Sequence, residues 1–197
     1  MRERAEATIA LSRAQGFPGL EAIGTLERGW VLAEQGQEAE GLAQMRQGLT
    51  AWQSLGQVLA VPHSLTLLAE VYGKVGQTEA GLHALAEALA IVENTGEHWW
   101  EAEIHRIKGE LLLAQAGTKP QMEDAAACFH QALAVASRQQ AKALELRTAM
   151  SLARLWQRQG QRAAARELLT PIYGWFTEGF DTADLQEAKA LLGELEG

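Results

Sequence analysis

The chain has 197 residues, a formal net charge of −8, one cysteine and 47% apolar residues, which is one domain's worth of sequence with enough apolar material for a core. A lone thiol excludes an internal disulfide framework and suits a cytoplasmic setting. Apolar runs of about five residues fall far short of the ~20 that a membrane span needs, and the acidic balance argues against nucleic acid as a partner.

Ala, Leu, Gln, Glu and Arg dominate, and all are strong helix formers. Val, Ile, Thr and Tyr are scarce and no segment alternates with period two, so an all-α chain is expected. Residues 2–16 read as a half repeat with one helix over 2–15. Four helix pairs follow, over 19–56 (19–35 and 38–55), 59–96 (59–75 and 78–95), 97–139 (97–116 and 121–138) and 141–176 (141–159 and 162–176). A capping helix over 182–195 closes the chain, with Asp181 or Thr182 as its cap and Asp184 suited to its dipole. Pro62 is tolerated in a first turn, whereas Pro171 is expected to kink or restart its helix near Thr170.

The pairs repeat one another. A small residue followed by a large aliphatic one recurs at Thr8-Ile9, Gly48-Leu49, Ala88-Leu89 and Ala132-Leu133, in steps of 40, 40 and 44. Seven residues after each aliphatic position stands a helix end, at Gly16, Gly56, Gly96 and Gln140. Glycine suits the left-handed conformation that follows a helix. Gly36, Gly76 and Gly160 mark the turn inside three of the pairs, and Ala116-Gly117 marks it in the third, where the extra four residues fall. A turn is where added length costs least. Residues 1–16 match the second helix of a repeat, so a longer parent chain is expected.

Within each pair the packing positions are occupied in register. They are Gly29 and Leu32 with Gly41, Met45 and Gly48; Leu68-Ala69 and Tyr72 with Gly81, Leu85 and Ala88; Gly109 and Leu112 with Ala125, Phe129 and Ala132; and Leu152-Ala153 and Trp156 with Ala165 and Leu169. This pattern resembles the tetratricopeptide repeat, with a period of ~40 in place of 34. The resemblance covers nearly the whole chain and implies a right-handed α-solenoid of about four antiparallel pairs. The segments EAEIHRIKGELLL and YGWFTEGFDTADLQEAKALL further resemble the C-terminal repeat arms of large bacterial signalling ATPases, some fused to cyclase or kinase domains. That resemblance implies catalytic domains upstream in a parent chain.

No phosphate loop and no His-Glu-x-x-His motif is present. His98 and His105 share a helix face but would need Glu101 or Glu103 to complete a metal site, and no ligand pattern selects them. Cys128, beside Phe129 among small residues, reads as a packed thiol. No enzyme, cofactor or metal is expected. Trp156 matches a core position, while Trp52, Trp99, Trp100 and Trp175 fall near turns and are expected to plug gaps between pairs.

In the architecture that the resemblance implies, first helices line a concave groove. Groove positions are then Ile23, Leu26, Trp30 and Glu34 in the first pair; His63, Thr66, Glu70 and Lys74 in the second; Glu103, Arg106 and Glu110 in the third; and Arg147, Met150, Arg154, Gln157 and Arg158 in the fourth. The segment Arg138–Arg166 carries seven basic residues against Glu145, so it holds +6 and the remainder −14. A groove that runs from apolar to basic suits a protein or peptide with a hydrophobic anchor and an acidic segment. The expected function is a protein–protein interaction scaffold in signal transduction. The competing expectation is a sensor or oligomerisation arm that binds a small effector, which an enclosed pocket at Trp30 would favour. Apolar surface on the first helix is a candidate for self-association into a homodimer.

Overall fold

The computed structural model describes residues 2–115 and 119–196, apart from the side chains of Arg2 and Pro120. The expected turn at Ala116-Gly117 lies outside the described residues. Ten α-helices and one short 3-10 turn make up the described structure, with no strand among them. The chain divides into two compact units, Met1–His98 and Trp99–Gly197.

The first unit holds α1 (Arg2–Gln15), α2 (Pro18–Glu34), α3 (Glu38–Ser54), α4 (Val61–Lys74) and α5 (Thr78–Thr95). The partners α2 and α3 pack most closely. A Cβ added to Gly29 would lie 2.6 Å from the Gly41 carbonyl oxygen, and one added to Gly48 would lie 2.6 Å from that of Ala22. Glycine at these positions is therefore what lets the two backbones meet. Met45, Leu32, Leu42 and Leu49 fill the rest of that seam, and Val61, Leu65, Leu68, Leu85 and Val92 continue the core through α4 and α5.

The second unit begins in the 3-10 turn His98–Trp100 and holds α6 (Glu101–Gln115), α7 (Lys119–Arg138), α8 (Lys142–Arg158), α9 (Arg162–Tyr173) and α10 (Ala183–Glu196). Phe129, Leu152 and Leu155 form one apolar layer, and Leu146, Met150, Leu169, Leu185, Leu191 and Leu195 form another that takes in α10. Gly109 exists for Phe129, since a Cβ there would sit 2.5 Å from the ring.

The left-handed residues fall where the repeat places them. Gly16, Gly36, Gly56, Gly76, Gly96 and Gly160 all have φ between 71° and 82°. Gln140 takes the same role without being glycine, at φ 56°. A second non-glycine, Ala60, has φ 59° at the N-cap of α4, and the carboxylate of Glu97 accepts its backbone N–H at 2.8 Å.

Several elements differ from the sequence reading. The helix expected from residue 97 begins at Glu101, because the 3-10 turn precedes it. The helix expected from 59 begins at Val61, after the left-handed Ala60. Pro171 does not restart α9, which runs on to Tyr173. Proline removes one backbone donor near the helix end, where the turn still closes through Gly174 N–H onto Thr170 O at 2.9 Å. The Thr182 hydroxyl, just before α10, donates back to Gly179 O at 2.7 Å. Trp99 and Trp175, expected to plug turns, stay 48% and 58% exposed.

Candidate functional site

In the first unit α2 and α4 lie side by side and α1 flanks α2. Two adjoining hollows open along this face. One, of about 320 Å³, is lined by Arg4, Ala5, Glu27, Trp30, Val31, His63 and Leu67. The other, of about 200 Å³, shares Glu27, His63 and Leu67 and adds Ile23, Leu26, Trp52 and Ser64 among its walls. Both walls are mostly aliphatic or aromatic, the usual composition of a binding cleft. Trp30 was singled out from the sequence, and it lines the larger hollow. Its indole N–H is shielded and has no hydrogen-bond acceptor among the described residues. An orphaned donor of this kind costs about 1–3 kcal/mol.

The other expected groove residues of this unit have local partners. Lys74 pairs with Glu34 on α2, and with Glu70 one turn earlier at 3.7 Å. Leu26 is buried between helices, while Ile23 and His63 are half-buried at the hollows. Thr66 is buried and its hydroxyl donates to Pro62 O at 2.7 Å.

In the second unit the expected groove residues gather around one carboxylate. Glu103 is 2% exposed, and it accepts from Arg106 Nε at 2.9 Å and from Nη2 of the same guanidinium at 2.7 Å. Arg147 of α8 reaches the same carboxylate at 2.9 Å. Glu110 stands 3.7 Å from Arg106. The spacing i, i+3, i+7 on α6 put Glu103, Arg106 and Glu110 on one face, and α8 covers that face, so they tie two helices together. Met150 lies in the apolar layer beneath α10.

The basic stretch that the sequence set apart is matched by Glu145 within it and by acids the sequence did not associate with it. Arg138 faces Glu101 at 3.8 Å, Lys142 faces Glu145 at 2.6 Å and Arg166 faces Glu196 at 3.1 Å. Arg154 pairs with Glu187 of α10, and Arg162 donates to the Glu194 carbonyl. Gln157 also reaches Glu194, at 3.2 Å. Among the described residues Arg158 alone of this basic series has no acidic or carbonyl partner, and it is exposed. The signal for these pairs was the Glu187, Glu194, Glu196 series on the last helix, which sequence distance of 30 or more residues concealed.

The histidine and the cysteine of α6 and α7 show no activation. Burial lowers the pKa of His105 below its ordinary value, against the Glu101 carboxylate, which raises it, while Lys108 lowers it further. Burial raises the Cys128 thiol, which keeps it protonated and a poor nucleophile. No three His, Cys, Asp or Glu side chains among the described residues come together as a metal site. No described helix is long and apolar enough to cross a membrane.

The architecture is that of an all-α, TPR-like helical-repeat protein. Similar solved structures bear this out. BtubC (BKLC) from P. vanneervenii is similar with a TM-score of 0.74 at 16% identity, over 99% of this chain and 88% of that one. A kinesin light chain-like protein of Podosopora anserina, with nearly identical TPR-like repeats, is similar with a TM-score of 0.62 at 20% identity, over 88% of this chain and 84% of that one. No protein-family model matches the chain. In sequence, an uncharacterised protein of Rhizobium meliloti (strain 1021) is 33% identical over 127 residues, which take in 64% of this chain and 12% of that protein. The match thus spans about an eighth of the relative's length.

Proposed function

We propose that the chain is a non-catalytic interaction scaffold that holds a peptide or partner segment against the α2–α4 face. A TPR-like fold supports a protein-interaction role in general. The observation that carries the specific reading is the pair of adjoining apolar hollows, which share Glu27, His63 and Leu67. A partner's apolar side chain seated there would be desolvated on most sides, the setting in which single residues dominate binding.

The test begins by isolating the partner through chemical crosslinking in the native host, followed by titration of the purified pair. Leu67→Glu places a charge in both hollows and should weaken binding at least tenfold. Full affinity in the Leu67→Glu chain sinks the assignment of this face.

A second reading makes the repeats an effector-binding or oligomerisation arm of a larger signalling ATPase or cyclase-type protein. It is favoured by the relative in which the similar stretch is 12% of the length. An ATP-binding motif in the same polypeptide would support it, and co-purification of an active nucleotide hydrolase on the same chain would test it.

A further inference from the structure

We propose that the hollow at Trp30 binds a small zwitterion with an apolar body, the chemistry of a free aliphatic or aromatic α-amino acid. The site is in the first unit and does not depend on the scaffold reading. Its volume, about 320 Å³, lies at the lower end of small-molecule sites. Val31, Leu67 and Ala5 supply apolar walls, so the body of the ligand has somewhere dry to sit.

The polar groups on the walls then select the head. Arg4 and Glu27 both border the hollow, both are exposed, and neither has an ionic or hydrogen-bond partner among the described residues. This contrasts with the paired charges elsewhere on the same face, such as Lys74 with Glu34 and Glu70. A monocarboxylate entering the hollow would satisfy Arg4 and be repelled by Glu27. An amine would do the reverse. A molecule that carries both charges close together meets each with its opposite. Residues that are i, i+3 and i+4 on α2, Glu27, Trp30 and Val31, thus present an acceptor and an apolar wall on one helix face.

The experiment is a calorimetric titration of the full chain with L-leucine and L-phenylalanine, alongside four analogues that each lack one feature. Leucinamide lacks the carboxylate, N-acetyl-leucine and 4-methylpentanoate lack the ammonium, and glycine lacks the body. Saturable binding of leucine or phenylalanine, at least tenfold tighter than all four analogues, is the expected result. Glu27→Gln should erase the preference over N-acetyl-leucine, and Arg4→Gln the preference over leucinamide. Both residues are exposed, so both variants should keep the helical signal of the parent. Equal binding of charge-stripped analogues, or no saturable binding of either amino acid, overturns the proposal. A chain that fails here and still binds its protein partner through Leu67 leaves the scaffold reading standing.

Discussion

At the scale of single residues, backbone conformation decides more here than side-chain chemistry. Six glycines occupy the left-handed turns of the repeats, and Gln140 occupies a seventh repeat turn at φ 56°. A Cβ in this conformation costs roughly 1–2 kcal/mol, and glycine loses about 0.4–1 kcal/mol of that advantage through its freer unfolded chain. Gln140→Gly should therefore stabilise the fold by about 0.5–1 kcal/mol. Gly160→Ala, the equivalent change in the opposite direction, should destabilise it by a similar amount, since no neighbour lies within 4 Å at Gly16, Gly56 or Gly160 to add a clash. Urea melts of the two variants, compared at equal m-value, check both signs. Gln140 was legible as a helix end because it falls in register with Gly16, Gly56 and Gly96. Ala60 was not legible, because nothing in a single alanine announces φ 59°, and its backbone N–H is held by Glu97, 37 residues away.

Among elements, the question is what holds α10 in place. Its polar face makes contacts at Arg154–Glu187, Arg166–Glu196 and Gln157–Glu194, while its apolar stripe puts Leu185, Ala188, Leu191 and Leu195 into the second unit's core. The side chains of the two ion pairs are 35–61% exposed, so solvent screens them and each contributes at most a few tenths to about 1 kcal/mol. Leu191 is 3% exposed, and truncating a buried leucine costs about 2–5 kcal/mol. The apolar stripe wins. Leu191→Ala should loosen α10 by at least about 2 kcal/mol, and Glu187→Gln by under about 1 kcal/mol with little salt dependence left. Thermal melts at low and at high salt separate the two. The stripe was readable from its 3.6-residue period. The charge matching was not, since it pairs residues 30–37 apart in sequence, and composition alone made the stretch Arg138–Arg166 look like free basic surface.

For the whole molecule, the repeat pattern made the fold class and most helices readable, because small and large residues recur with a period near 40 and each has one packing role. The expected groove positions part ways in the structure. Register placed Trp30 and His63 in the groove, and the structure puts both at one hollow. Register also placed Glu103, Arg106 and Met150 there, and these are buried by α8 and α10, because a face that is first-helix by sequence can still be covered by neighbouring helices. Repeat architecture also sets how damage spreads. Each helix pair contacts only its neighbours, so stability is a sum of local terms rather than one global quantity. Gly41→Ala provides the test. Alanine gains up to about 1 kcal/mol in helix propensity, but its Cβ would stand 2.6 Å from the Gly29 carbonyl oxygen and 2.8 Å from the Ala33 nitrogen. Those are backbone atoms that cannot rotate away, and overpacking of this kind costs about 1–3 kcal/mol or more, so the clash outweighs the propensity. Hydrogen exchange should then accelerate across α2 and α3, while α8, α9 and α10 keep the protection of the parent chain. Equal acceleration in both sets of helices would show a single cooperative unit and reject the nearest-neighbour picture.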